Sequence, residues 1–203
     1  MIANELDEML VRRLADLDDA ARPLDAISEN VGNAMDELAR EWIRVHGWPP
    51  PDGTWNDDWD ISLGPPEWKP NGTWVRWFAL DFGDGDDGHP APNRDYFWLT
   101  RLCGEGEGTA GFRFMQEEVP KVGWKKFLKA NGNPLLGMDF ELDDAPSLYL
   151  PVRISVDELA TAVREERIED ALTPLHDALD ALHRAKPEFD KLIAEAKKAR
   201  GAK

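Results

Sequence analysis

Cysteine is almost missing from this sequence. Cys103 is the single cysteine among 203 residues, so the chain cannot close an internal disulfide. One cysteine and four histidines also provide no thiolate motif for zinc. Cys103 stands in an apolar run, where we expect it to be a small buried hydrophobe. The sequence therefore predicts neither a metal site nor a cofactor.

Long apolar runs are also lacking. No stretch approaches the roughly 18 consecutive apolar residues that a membrane-spanning helix needs. The first residues, Met1 to Glu5, are acidic and amphipathic, whereas a signal peptide begins with a basic and then an apolar region. We therefore expect a cytoplasmic protein without a membrane partner.

Basic residues are in the minority. The chain has 24 Lys and Arg against 40 Asp and Glu, a net charge of −16. Counted along the sequence, residues 1–47 carry −6, residues 48–111 carry −8, residues 112–154 carry zero and residues 155–203 carry −2. Such a protein repels phosphate backbones, so we expect no direct nucleic-acid binding. The expected partner is a protein with a basic surface.

Tryptophan, in contrast, is abundant and clustered. Eight of the nine tryptophans fall between residues 42 and 98: Trp42, Trp48, Trp55, Trp59, Trp68, Trp74, Trp77 and Trp98. Each indole buries a large area and still needs a partner for its N–H, so the cluster marks either the core or a contact surface. The sequence leaves both interpretations open.

Apolar spacing predicts helices at both ends of the chain. From Leu6 to Trp42 the apolar residues recur with a mean spacing of 3.6, an α-helical stripe. Pro23 predicts either two helices, about 4–20 and 23–46, or one helix kinked at Arg22. At the other end, Ser155 to Glu158 has the form of a capping box, which predicts a helical segment from there onward with kinks or restarts near Pro174 and Pro187.

The middle of the chain reads as strands. Residues 73–82 and 96–103 are apolar on both alternating faces, which predicts interior strands that bury Trp77 and Trp98. Residues 110–115 form a hairpin partner, residues 148–154 an edge strand because of Pro151, and residues 61–63 a short strand. Residues 124–129 look like helical turns.

The predicted fold class is α+β. An antiparallel sheet of about four to five strands is packed by an N-terminal helical hairpin and a long C-terminal helix. We expect one domain over residues 1–203, with a helical segment at 1–47, the sheet at 55–154 and a helical segment at 155–203.

The region with the greatest negative charge is a candidate contact surface. Two tryptophans stand among carboxylates after a triple proline, and a Gly-rich loop adds further acids. A basic protein would be drawn to such a surface by its charge and held by its aromatic side chains. The candidate partner-binding residues are Trp55, Asp57, Asp58, Trp59, Asp84, Asp86 and Asp87.

Each predicted strand carries one arginine near its middle. If the strands are neighbours, two or more of these side chains share a sheet face and form an anion site. The candidates are Arg76, Arg101, Arg113 and Arg153. The alternative is that they point to solvent or pair with carboxylates across the strands.

Asp60, Glu67 and Lys69 spell D-x6-E-x-K. This pattern resembles the acid pair and lysine of the PD-(D/E)XK nucleases, and the resemblance covers ten residues. It implies that the two carboxylates hold Mg²⁺ while the lysine supports the attacking water.

No catalytic signature stands out, so we interpret the chain as a non-enzymatic, acidic, protein-binding module. One form of it is an inhibitor or regulator that mimics nucleic-acid charge toward a basic partner, as bacterial and phage DNA mimics do. Two alternatives stay open. They are a metal-dependent nuclease or hydrolase at Asp60, Glu67 and Lys69, and a small anionic-ligand domain lined by Trp77, Trp98, Arg76 and Arg101.

Overall fold

A computed structural model describes residues 3–51, 61–81, 97–106, 108–142 and 147–201. These residues hold five β-strands and seven α-helices, with a long helix toward each end of the chain. The predicted α+β class with an antiparallel sheet is confirmed.

The N-terminal segment is a long helix broken once. Helix α1 spans Ala3–Arg12 and helix α2 spans Leu14–His46. Arg13 alone joins them, whereas an αα-hairpin uses about two to five loop residues. Pro23 lies inside α2, so the predicted division into two helices at about 4–20 and 23–46 is wrong. A proline removes one backbone hydrogen bond, and the 33-residue α2 continues past it.

The five strands form one antiparallel sheet in the order β1-β2-β3-β5-β4. Their bounds are β1 Ser62–Leu63, β2 Arg76–Asp81, β3 Ala110–Gln116, β4 Glu141–Leu142 and β5 Leu148–Val152. The prediction that β5 is an edge strand is wrong, because β4 pairs with it at Leu148 and Tyr149. Pro151 pairs with Gly111 of β3, beyond the part of β5 that β4 contacts.

The register of β2 and β3 separates a core face from a second face. Phe78 lies opposite Phe114, and both are buried. Trp77 lies opposite Met115 on the other face, where both are half-buried. The predicted interior strand is confirmed, since β2 lies between β1 and β3. The prediction that it buries Trp77 is met only in part, because Trp77 is half-buried on the second face.

Residues 98–103 are helical, which overturns the strand predicted at 96–103 and its hairpin. Helix α3 spans Trp98–Cys103 and ends at Gly104, whose φ of 65° is the left-handed cap that glycine adopts readily. Leu99, Leu102 and Cys103 are buried, at the i, i+3, i+4 spacing of one helix face. A short apolar run fits a buried helix as well as a buried strand.

Two of the four remaining helices lie in the C-terminal helical segment predicted at 155–203, and another covers the helical turns predicted at 124–129. Their bounds are α4 Lys121–Asn131, α5 Asn133–Leu136, α6 Val156–Arg164 and α7 Thr173–Gly201, with a 3₁₀ turn at Ile168–Ala171. The Ser155 hydroxyl accepts the Glu158 N–H at 3.4 Å, so the predicted cap of α6 is present. Pro174 lies in the first turn of α7 and Pro187 inside that helix.

Aromatic rings fill the core between the sheet and α7. Phe189 stacks on Phe114 with ring centroids 4.2 Å apart and meets Phe78 edge-on at 5.2 Å. Trp68 packs against Phe78 at 5.2 Å. Trp42, Trp48 and Trp68 are all buried, so these three members of the tryptophan cluster belong to the core.

Cys103 is buried beside this core, as predicted, and burial together with the nearby charge of Glu105 raises the pKa of its thiol. Within the described part of the chain, no helix has both the length and the apolar character needed to cross a bilayer.

Candidate functional site

Six charged side chains connect the sheet, the loops beside it and α7. We call them the ion-pair network: Glu67, Arg76, Glu118, Lys186, Asp190 and Lys197. Three are basic and three acidic, so the network is neutral as a whole.

Asp190 lies at the centre of the ion-pair network. Its Oδ1 accepts from Arg76 Nη1 at 2.5 Å and from the buried Trp68 Nε1 at 2.8 Å. Its Oδ2 accepts from Lys186 Nζ at 2.8 Å. Lys186 also contacts Glu67 at 2.6 Å, while Glu118 pairs with both Arg76 and Lys197.

These contacts favour the ionised forms of Glu67 and Asp190. The hydrogen bond from Lys186 lowers the pKa of Glu67 below its ordinary value. For Asp190, burial is the largest single effect and raises the pKa. The hydrogen bonds from Lys186 and Trp68 and the charges of Lys186 and Arg76 together outweigh burial, so the net pKa is lowered.

A separate ion pair, also neutral as a whole, lies on the opposite face of the sheet. Arg113 Nε donates to Asp81 Oδ2 at 2.5 Å, and Arg113 Nη1 donates to the Ser147 hydroxyl. The guanidinium lies 5.3 Å from the centroid of the Tyr149 ring. Burial, the largest effect, raises the pKa of Tyr149, whose hydroxyl donates to Thr109 at 3.3 Å.

The four candidate arginines do not share one sheet face. Arg76 lies opposite Gln116, and Arg113 lies opposite Ala79 on the other face. Arg101 is on α3, not on a strand, and is 4% exposed; a Cβ added at Gly108 would come within 2.8 Å of its Cγ. Arg153 follows β5 and packs over Gly104.

The alternation of side chains between the two faces of the sheet also tests the predicted pocket for a small anionic ligand. Arg76 and Trp77 are neighbours on β2 and therefore point to opposite faces of the sheet. These two side chains do not line one cavity.

Two of the three nuclease-like residues, Glu67 and Lys69, lie outside the strands. Glu67 belongs to a 3₁₀ turn at Pro66–Trp68, because Pro65 and Pro66 prevent a strand there. Its carboxylate is paired with Lys186. The Lys69 ammonium lies 4.7 Å from the Trp74 ring centroid. Asp60 lies outside the described residues. Within the described ranges, no group of three or more His, Cys, Asp or Glu side chains is arranged to hold a metal.

The candidate partner-binding residues lie outside the described residues. Trp55, Asp57, Asp58 and Trp59 fall in 52–60, and Asp84, Asp86 and Asp87 fall in 82–96. Their role as a contact surface stays a prediction.

Sequence reasoning missed an exposed helical surface. We call residues 3–22 the arm; it consists of α1 and the first turns of α2. On it, Leu10 is 39% exposed, Leu14 61% and Leu17 44%, whereas Val31 and Met35, further along the same stripe, are buried. The 3.6 spacing identified the stripe, but spacing alone could not show where burial begins.

Comparison of the chain with protein-family models, curated proteins and solved structures finds no match.

Proposed function

We propose that this protein is a non-enzymatic module that binds a protein with a basic surface. We call residues 52–60 and 82–96 the acidic segments; their residues Trp55, Asp57, Asp58, Trp59, Asp84, Asp86 and Asp87 would form the contact. An inhibitor or regulator that mimics nucleic-acid charge is the specific form we favour.

The observation that carries the proposal is the charge balance of the groups that are paired across the fold. The ion-pair network holds three bases against three acids, and Arg113 is paired with Asp81. These groups contribute nothing to the net charge of −16, which therefore resides on the rest of the chain. A field of that sign attracts cationic surfaces and accelerates their encounter.

The same pairing argues for a basic partner over an anionic ligand. An anion site needs cations that are not already neutralised. Arg76 and Arg113, the two candidate arginines that lie on strands, are paired with carboxylates of the fold. In the same way, Glu67 is engaged by Lys186, which supports a structural role for it.

Surface plasmon resonance on a partner isolated by affinity capture tests the proposal. Replacing Asp57, Asp58, Asp86 and Asp87 with Asn should lower the association rate about tenfold, because steering acts on the encounter. The matched control removes the same charge from exposed helix positions: Glu37→Gln, Glu169→Gln, Asp177→Asn and Glu195→Gln.

The control set should slow association less than the Asn substitutions in the acidic segments. Equal effects of both sets would show that only the total charge acts. Unchanged rates with the substitutions in the acidic segments would contradict the proposal. Metal-dependent nucleic-acid cleavage that is lost on Glu67→Gln would replace it with the nuclease alternative.

A further inference from the structure

The arm continues a helical packing surface that is already used inside the fold. Along α2, Val31, Met35 and Trp42 are buried, and α2 packs against α7 and the 3₁₀ turn at Ile168–Ala171. The Trp42 indole N–H donates to Asp180 of α7 at 2.8 Å. Leu24 and Ile27 still pack against the core.

On the N-terminal side of Leu24, the side chains of the same stripe are exposed to solvent. Leu10, Leu14, Leu17, Ala21 and Leu24 follow one another at spacings of four, three, four and three residues. This is the heptad spacing by which one helix packs along another. Because the buried half of the stripe accepts helical elements, the exposed half has the form of a docking surface for one more helix.

The length of the exposed stripe sets the size of that helix. Leu10 to Ala21 covers twelve residues, which is about 16 Å or three turns at about 1.5 Å per residue step. An apolar ridge of three to four turns on the partner would cover it.

The net charge of the arm indicates which kind of helix it would accept. The arm contains six acids (Glu5, Asp7, Glu8, Asp16, Asp18, Asp19) and three bases (Arg12, Arg13, Arg22), a net charge of −3. Each base is paired with an acid of the arm itself: Arg12 with Glu8, Arg13 with Asp16 at 3.5 Å, and Arg22 with Asp18 at 3.6 Å.

A second copy would bring −3 against −3 along the arm and −16 against −16 overall. A helix with Lys or Arg beside its apolar ridge would instead meet opposite charge. We infer that the arm docks a basic amphipathic helix of the partner protein, an inference that rests on the proposed function.

Fluorescence anisotropy with synthetic helices tests this on the full chain. The first probe is a labelled 21-residue peptide with Leu at the heptad core positions and Lys at the flanking positions. The second probe is identical except that Glu replaces Lys. The basic peptide should bind at least about tenfold more tightly at about 0.1 M salt, and its affinity should fall as salt is raised. Equal affinities would overturn the inference.

Variants place the peptide on the arm. Leu14→Gln with Leu17→Gln removes the exposed ridge while keeping a good helix former, and should weaken the basic peptide about tenfold or more. The matched control is Val45→Gln, an apolar position on the same helix that is 64% exposed and lies outside the arm; it should bind as the wild type does. Circular dichroism of each variant confirms that helix content is kept. Wild-type affinity in the Leu14 and Leu17 variant would also overturn the inference.

Sedimentation equilibrium identifies the competing occupant. The chain should sediment as a monomer at about 0.1 M salt. A dimer that dissociates on Leu14→Gln with Leu17→Gln would show that the arm takes a second copy, and would overturn the basic-helix inference.

The two proposals fail separately. If the arm variants leave peptide binding unchanged while the Asn substitutions in the acidic segments still slow association with the captured partner, only the inference about the arm fails. If the arm binds the basic peptide but the substitutions in the acidic segments have no effect on the captured partner, the contact in the proposed function fails.

Discussion

Trp68 and Asp190 are 122 positions apart in the sequence and are joined by a hydrogen bond of 2.8 Å from the indole N–H to the carboxylate. The bond connects the 3₁₀ turn at Pro66–Trp68 to helix α7. Because Trp68 is fully buried, its N–H has to find an acceptor within the fold. Arg76 and Lys186 donate to the same carboxylate, so one side chain satisfies three donors.

Asp190→Ala should therefore lower the free energy of unfolding by about 2–3 kcal/mol, since it leaves a buried donor unpaired. Chemical denaturation measures this. Asp177→Ala, an exposed acid on the same helix, is the control and should change stability by less than about 0.5 kcal/mol. Equal effects of the two substitutions would show that the Asp190 contacts do not stabilise the fold.

The pH dependence of stability should report the same contacts. The pKa values of Asp190 and Glu67 are lowered in the fold from ordinary values of 3.8 and 4.5. A lowered pKa contributes stability above the unfolded value, and that contribution is lost as the pH falls through the folded value. Thermal unfolding midpoints should thus drop between about pH 5 and pH 3, and drop less in Asp190→Asn. An identical pH profile for this variant would contradict the assignment.

Phe78 and Trp77 are adjacent on β2 and test which face is the core. Phe78→Ala should cost about 3–5 kcal/mol, the range for large-to-small core changes. Trp77→Ala, at a half-buried site on the other face, should cost only about 1–2 kcal/mol. Denaturant midpoints compare the two variants, and a larger loss for Trp77 would reverse the assignment of the faces.

Ser155 caps α6, and its loss should be small because the bond is long and exposed. Ser155→Ala should cost about 0.5–1 kcal/mol, and Ser155→Asp should recover most of that loss. A neutral Ser155→Ala in urea unfolding would show that the hydroxyl does not stabilise the helix start.

Sequence patterns predicted the elements whose signal is local. The stripe from Leu6 to Trp42 predicted helix, and the Ser155 cap predicted the start of α6, because both depend on neighbours within about four residues. The strand at 76–81 was recognised because residues 73–82 are apolar on both alternating faces, but how far Trp77 is buried depends on what covers each face.

Other features depend on distant parts of the chain. Helix α3 was mistaken for a strand because six apolar-rich residues fit both periods, and burial by the rest of the fold decided between them. The Trp68 and Asp190 bond joins the middle of the sequence to its end, and no local pattern indicates it. The apolar spacing of the exposed arm is also that of a buried helix, because spacing does not show which distant parts of the chain cover it.

The most direct test of the central claim is the association rate with the captured basic partner as a function of ionic strength. The account predicts fast association at low salt and a steep fall as the Debye length shortens from about 10 Å at 0.1 M to about 3 Å at 1 M. The dissociation rate should change much less over the same range. An association rate that stays constant from low to high salt would contradict binding steered by the acidic surface.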